Sequence, residues 1–173
     1  YYVDALIGLY EVTFDQKYLQ FANELTAFSN DKFKEESGFY RFSTNQENLF
    51  ANTLIDLQDG VTPSANSVMN FNLFRLGHFN GNKDYLTYSK TMINNARGTI
   101  KDRVIDHLLW LTISHNYSQK FYEIAISGKN AISKAEELLQ EYLPNTLIVA
   151  SKKASDLNLL KNRYVEDQTY IYV

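Results

Sequence analysis

Apolar positions recur at helical spacing through the first 33 residues, in two stripes. Val3, Leu6, Ile7 and Tyr10 form one, and Tyr18, Phe21, Ala22, Leu25 and Phe28 form the next. Thr13-Phe14-Asp15 connects them, with Asp15 placed to cap the second helix. Glu35 to Ser43 carries a turn at Gly38 and then the alternation Phe39-Tyr40-Arg41-Phe42, which predicts a short strand or an extended loop. Residues 44–58 are ambiguous. From Val68 to Leu76 the pattern turns almost wholly apolar, broken by Asn70, Asn72 and Arg75, and predicts a buried helix to about Gly77.

That helix opens from Asp59-Gly60-Val61-Thr62-Pro63-Ser64-Ala65-Asn66-Ser67. Thr62 is a good N-cap there, and Pro63 suits the first helical position, where its missing N–H costs nothing. Gly81-Asn82 breaks the chain. Asp84 to Asn95 predicts a helix with Tyr85, Tyr88, Met92 and Ile93 inward, and Ile100 to Tyr117 a last long one carrying Val104, Ile105, Leu108, Leu109, Leu111 and Ile113. Five helices on short loops predict stacked helical hairpins. Beyond residue 118 the character changes. Phe121 to Ile126 is β-prone and ends at Gly128, a helix runs from Ala131 to Tyr142 until Pro144, and Thr146 to Ala150 and Gln168 to Val173 are β-like. Strand, helix, strand is a βαβ unit with parallel strands. The chain therefore reads as mainly α, with a helical part over 1–118 and a small α/β appendage over 119–173.

Composition narrows the function classes. With 173 residues, 45% hydrophobic and 21% charged, this is an ordinary soluble domain with room for a real core. A net charge of −3 and scattered Lys and Arg argue against nucleic acid. No apolar run has bilayer length and no secretory leader is visible, so no membrane partner and a cytoplasmic location are expected. Zero cysteines removes disulfides, thiolate catalysis and Cys-ligated metals. His78, His107 and His115 lack metal-ligand spacing, so neither a metal nor a cofactor is expected. The chain opens Tyr-Tyr-Val-Asp inside a helical pattern, as a piece of a longer protein would.

Three stretches carry a resemblance. Leu9-Tyr10-Glu11-Val12-Thr13-Phe14-Asp15 with Tyr18-Leu19, the Asp59 to Ser67 motif, and Ile124-Ala125-Ile126-Ser127-Gly128 with Leu143-Pro144-Asn145 are similar, in order and spacing, to the C-terminal part of the spermatogenesis-associated protein 20 family and its bacterial relatives. The resemblance implies a partial (α/α)6 six-hairpin, glycosidase-like toroid, in a protein whose thioredoxin-like module and first hairpins precede this part. Ala65 stands where the family usually has Gly, and Thr53 and Ile55 where it has Arg and Lys. This chain also stops at Tyr172-Val173, where the family commonly continues into a Cys-containing tail.

Two roles compete for each candidate residue. Asp59, Ser64, Asn66 and Ser67 either hydrogen-bond a sugar-like ligand at the toroid mouth or close a turn and cap a helix. Asn66 and Asn70, four apart on an apolar helix, need partners inside. A glycoside hydrolase needs two carboxylates across a cleft, and Asp59, Asp4 and Asp106 are the candidates, with Glu11 and Asp56 also near apolar helical context. Asp4 falls where the family's first helix is acidic. An epimerase would pair histidines instead, such as His78 and His107, although a lone His on an apolar face is more often structural. Gly128-Lys129 before a helix invites a phosphate, without a glycine-rich pattern. Trp110 can stack a sugar or fill the core. The expected function is carbohydrate binding or processing. The alternatives are a non-catalytic scaffold that presents partners to the thioredoxin module, and isomerase chemistry. The exposed inner helix faces are expected to meet the missing N-terminal part of the protein or another chain.

Overall fold

The computed structural model describes residues 1–43 and 54–173; Thr53 and the ambiguous residues before it lie outside that range. Helix α1 (Tyr2–Thr13) buries Val3, Leu6, Ile7 and Tyr10, the predicted stripe. Phe14 ends it in the left-handed conformation (φ 55°), its N–H bonding Tyr10 O at 2.7 Å and its ring edge-on to Tyr10. Asp15 accepts from Lys17 N at 3.1 Å and starts α2 (Gln16–Lys32). The buried row of α2 is Leu19, Ala22 and Thr26, while Phe21 and Phe28 face outward. This row lies beside the expected one; its small residues let α2 approach α1 closely, and the large rings take the flank.

Helix α3 (Ala65–Asn80) is buried on nearly every side and touches α1, α2, α4 and α5. Its cap is Ser64, whose Oγ accepts from Ser67 N at 3.0 Å. Thr62 does not cap: its carbonyl closes a turn with Gly60 N at 3.0 Å, which delays the helix past Pro63. Gly81 (φ 65°) turns the chain, and Asn82 Oδ1 accepts from Asp84 N and Tyr85 N to begin α4 (Lys83–Asp102).

The predicted helix from Ile100 to Tyr117 is two elements. Ile100 belongs to α4; a 3-10 turn (Val104–Asp106) follows, and α5 (Leu108–Ser118) begins after His107. Val104, Ile105 and Leu108 are exposed instead of core. The break frees two backbone groups for a tertiary contact, since Asp106 O accepts from Asp59 N at 2.6 Å and Leu109 N donates to Asp59 Oδ2 at 2.8 Å. Helical periodicity carries no sign of such a contact.

The C-terminal part is a three-stranded mixed sheet, ordered β2-β1-β3. Strands β1 (Tyr122–Gly128) and β2 (Thr146–Ser151) are parallel, from Tyr122 opposite Thr146 to Ser127 opposite Ser151, and α6 (Ala131–Leu138) crosses between them. Helix α6 ends before Tyr142 and well short of Pro144. Strand β3 (Thr169–Tyr172) runs antiparallel to β1. Gly128 (φ 125°) allows this pairing, because a Cβ there would lie 1.8 Å from Gln168 O.

One apolar cluster joins α1, α2 and the end of α3 to β1, α6, β2, Leu159 and Leu160, so the sheet packs on the helical hairpins through a shared core. A second gathers Phe39, Met69, Leu73, Met92, Ala96 and Trp110. Trp110 is fully buried, edge-on to Phe39, and donates Nε1–H to Leu57 O at 2.9 Å, which gives it a core role. Among the described residues, no helix is long and apolar enough to cross a membrane.

Candidate functional site

The Asp59 to Ser67 motif forms a clasp between two helix N-termini. Asp59 Oδ1 accepts from Ser64 N (2.9 Å) and Ser67 Oγ (2.6 Å), while Oδ2 accepts from Leu109 N in the first turn of α5 (2.8 Å). Free N–H groups and the positive end of each helix dipole favour a carboxylate there. Both oxygens of Asp59 are therefore engaged by protein donors. Asn66 is engaged too: Oδ1 accepts from Tyr40 N at 2.7 Å, and Nδ2 donates to Tyr40 O at 2.9 Å and Asp56 O at 3.0 Å. It fastens the extended segment at Phe39 and Tyr40 onto α3. Asn70, one turn deeper and fully buried, has no hydrogen-bond partner for either amide atom.

Of the other expected carboxylates, Asp106 stands by itself while Asp4 and Glu11 come together on one arginine. Asp106 pairs with Arg103 Nε at 2.8 Å. Asp4 on α1 meets Arg75 of α3, and Glu11, two turns along the same helix, reaches Arg75 Nη1 at 3.4 Å. Asn72 Oδ1 takes a further guanidinium bond at 2.9 Å, and Arg75 stacks on Phe71 at 4.4 Å. Burial pushes the Glu11 carboxyl above its ordinary range; Arg75 opposes that and Asp4 adds to it.

Glu11 and Arg75 open onto a cleft of about 760 Å³. Phe71, Phe74 and Phe121 line one part of it, and Thr112, His115 and Asn116 of α5 another. The loop from Tyr142 to Thr146 completes the wall. None of Asp59, Ser64, Asn66, Ser67 or Asn70 lines it. Sequence reasoning did not single out this cleft, whose lining comes from α1, α3, α5 and the approach to β2. The signal within reach was Arg75, a lone cation on an apolar helix, which must find an acid and so points to Asp4 and Glu11.

The histidines do not converge. His78 Nδ1 lies 2.7 Å from Glu123 Oε1, with its ring against Phe74 and Phe121 in the last turns of α3. His107 is fully buried at the α5 N-terminus, Nδ1 on Arg103 O at 2.8 Å. The Asp59 clasp ties that end of α5 to the start of α3. His78 is therefore roughly 16 Å further along α3, at 1.5 Å per residue. After Gly128, Lys129 N and Asn130 N are bonded to Gln168 O and Thr169 Oγ1, so these two N–H groups are already taken at the turn before α6. Among the described residues, no group of three or more acidic, histidine or cysteine side chains is placed to hold a metal.

Helical hairpins carrying a small α/β region, with a cleft at their junction, define the class of protein. No protein-family profile matches the chain. It is similar over 99% of its length to spermatogenesis-associated protein 20 of Rattus norvegicus, at 27% identity across 184 residues. The Mus musculus and Homo sapiens proteins of the same name are each 28% identical across 185 residues, again over 99% of this chain. The chain spans 23% of the length of each of these relatives.

Proposed function

We propose that this chain is the C-terminal part of a larger protein of the spermatogenesis-associated protein 20 type, and that its cleft binds a carbohydrate. In this reading the helical part over 1–118 supplies hairpins of a six-hairpin barrel, and 119–173 is a subdomain that closes one side of the cleft. The observation that carries it is the make-up of the cleft: the half-buried rings of Phe71 and Phe121, over a fully buried Phe74, beside polar Glu11, Thr112, His115 and Asn116. A sugar ring needs both, an apolar face to stack and directional partners for its hydroxyls. Binding fits better than hydrolysis, because Asp59 is spent on capping and Asp4 and Glu11 share one guanidinium. Isomerisation by a histidine pair has no support in the separation of His78 and His107.

Asp59, Ser64, Asn66 and Ser67 act in this account as the frame that sets α3 against α5. That frame also favours a second reading, a non-catalytic scaffold. Exposed apolar side chains on α1 and the 3-10 turn, among them Leu9, Val12 and Ile105, would then pack against the rest of the protein or another chain. Thermal-shift screening of the full-length protein against neutral oligosaccharides separates the two. A sugar-dependent rise in Tm that Asn116→Ala removes supports the cleft. A flat response to every sugar supports the scaffold.

A further inference from the structure

A separate pocket of about 350 Å³ lies on another face of α3 and shares no lining residue with the cleft. Ala65, Met69 and Asn72 follow one another along that face, and Leu25 and Phe28 of α2 stand opposite, with Tyr40-Arg41 closing one side. Apart from tyrosine hydroxyls, its polar side chains are Ser29, Arg41 and Asn72. Ser29 Oγ is spent on Leu25 O at 2.8 Å. The other two each keep a donor. Asn72 is 1% exposed, and its Oδ1 accepts from Arg75 Nη2 at 2.9 Å; that bond sets the amide orientation and leaves Nδ2 buried without a partner. Arg41 gives Nη1 to Glu35 and Nη2 to Lys32 O, both at 3.0 Å, while its buried Nε has no acceptor.

We propose that this pocket binds an uncharged small molecule with an apolar, ring-sized body and a carbonyl oxygen at its buried end, received by Asn72 Nδ2. Buried donors call for an acceptor, and the charges around them select its kind. Arg41, the one cationic side chain in the lining, is matched by Glu35, and Arg75 behind Asn72 is matched by Asp4 and Glu11. A carboxylate would enter an apolar pocket with no uncommitted cationic side chain to meet it, whereas a carbonyl needs none. The size suits such a molecule, and an apolar lining with one or two placed polar groups is how small-ligand sites are built. The proposal is independent of the carbohydrate reading of the cleft.

The test titrates the full-length protein with acetophenone, ethylbenzene and benzoate, followed by ligand-observed NMR. Asn72→Asp keeps the oxygen that Arg75 uses and replaces the free donor by an acceptor. The proposal expects this change to weaken acetophenone about fivefold or more, the scale of one lost hydrogen bond, and ethylbenzene by less than about twofold. It expects benzoate to bind the unmodified protein more weakly than acetophenone. Ala65→Trp, at an exposed position on the rim, should weaken acetophenone and ethylbenzene together, and it locates the binding even if Asn72→Asp does not fold. Acetophenone binding that Asn72→Asp leaves unchanged overturns the proposal, and so does benzoate binding as tightly as the ketone. Failure of acetophenone to bind, or binding that Ala65→Trp does not weaken, overturns it as well. Each of these results leaves the carbohydrate reading of the cleft standing.

Discussion

Replacing Asp59 by asparagine separates a structural clasp from a catalytic carboxylate. The native side chain accepts three hydrogen bonds, from Ser64 N, Ser67 Oγ and Leu109 N. Asparagine keeps the shape and one acceptor oxygen, which can still serve Ser64 and Ser67. Its amide nitrogen then faces the Leu109 N–H, so a charge-assisted bond is replaced by two opposed donors. With Asp59 half-buried, the loss should be about 2–3 kcal/mol. Urea unfolding measures it, with an unchanged m-value showing that compactness is preserved. Asp59→Ala should cost at least as much. A double-mutant cycle with Ser67→Ala should return a coupling of about 1 kcal/mol, since those side chains touch directly. If Asp59→Asn keeps stability within about 0.5 kcal/mol of the parent while abolishing a ligand response, the clasp argument is wrong and Asp59 belongs to a site.

Three further outcomes follow from the same geometry. Gly128→Ala should destabilise by more than about 3 kcal/mol, through a positive φ and a collision with the Gln168 backbone that no rotamer relieves; chemical denaturation with retention of less than about 1 kcal/mol of damage would refute the pairing described for β3. Asn70→Leu exchanges a buried amide without protein partners for a side chain of similar size, and should raise stability by about 1 kcal/mol; a fall in the urea midpoint would mean that the amide is satisfied. Glu11 has its proton affinity raised in the fold, so the stability tied to its neutral form is present below the ordinary carboxylate range and is lost as pH climbs through the raised value. Urea midpoints from pH 4 to pH 7 should therefore show Glu11→Gln gaining on the parent, and a parent that gains on the variant would reverse the assignment.

Much of the frame was legible where local chemistry and burial agree. The α1 stripe, the Asp15 cap, the Gly81-Asn82 break and the two parallel strands all follow from short-range pattern. The failures share a cause in contacts between distant residues. The run from Ile100 to Tyr117 keeps an apolar pattern, yet it breaks at Arg103 because Asp59, more than forty residues earlier, takes Asp106 O and Leu109 N–H. Thr62 lost the cap to Ser64 because its carbonyl is committed to Gly60. Asn66, polar on an apolar helix, needs a partner inside and has three bonds, but nothing local points to Tyr40 as the one that fills most of them. The cleft was the least legible part. Its walls come from four places in the chain, and only the isolated charge of Arg75 on an apolar helix advertised that acids must lie opposite.

The central claim divides labour between a clasp that holds α3 to α5 and a cleft that binds a sugar. Oligosaccharide titration of the full-length protein, followed by isothermal calorimetry, tests it in one comparison of Asn116→Ala with Asn66→Ala. The account predicts that Asn116→Ala removes binding while leaving the urea midpoint unchanged, and that Asn66→Ala lowers the midpoint by the equivalent of about 2 kcal/mol while the folded protein still binds. Sugar binding that survives Asn116→Ala and disappears with Asn66→Ala in a folded, undamaged protein would contradict it.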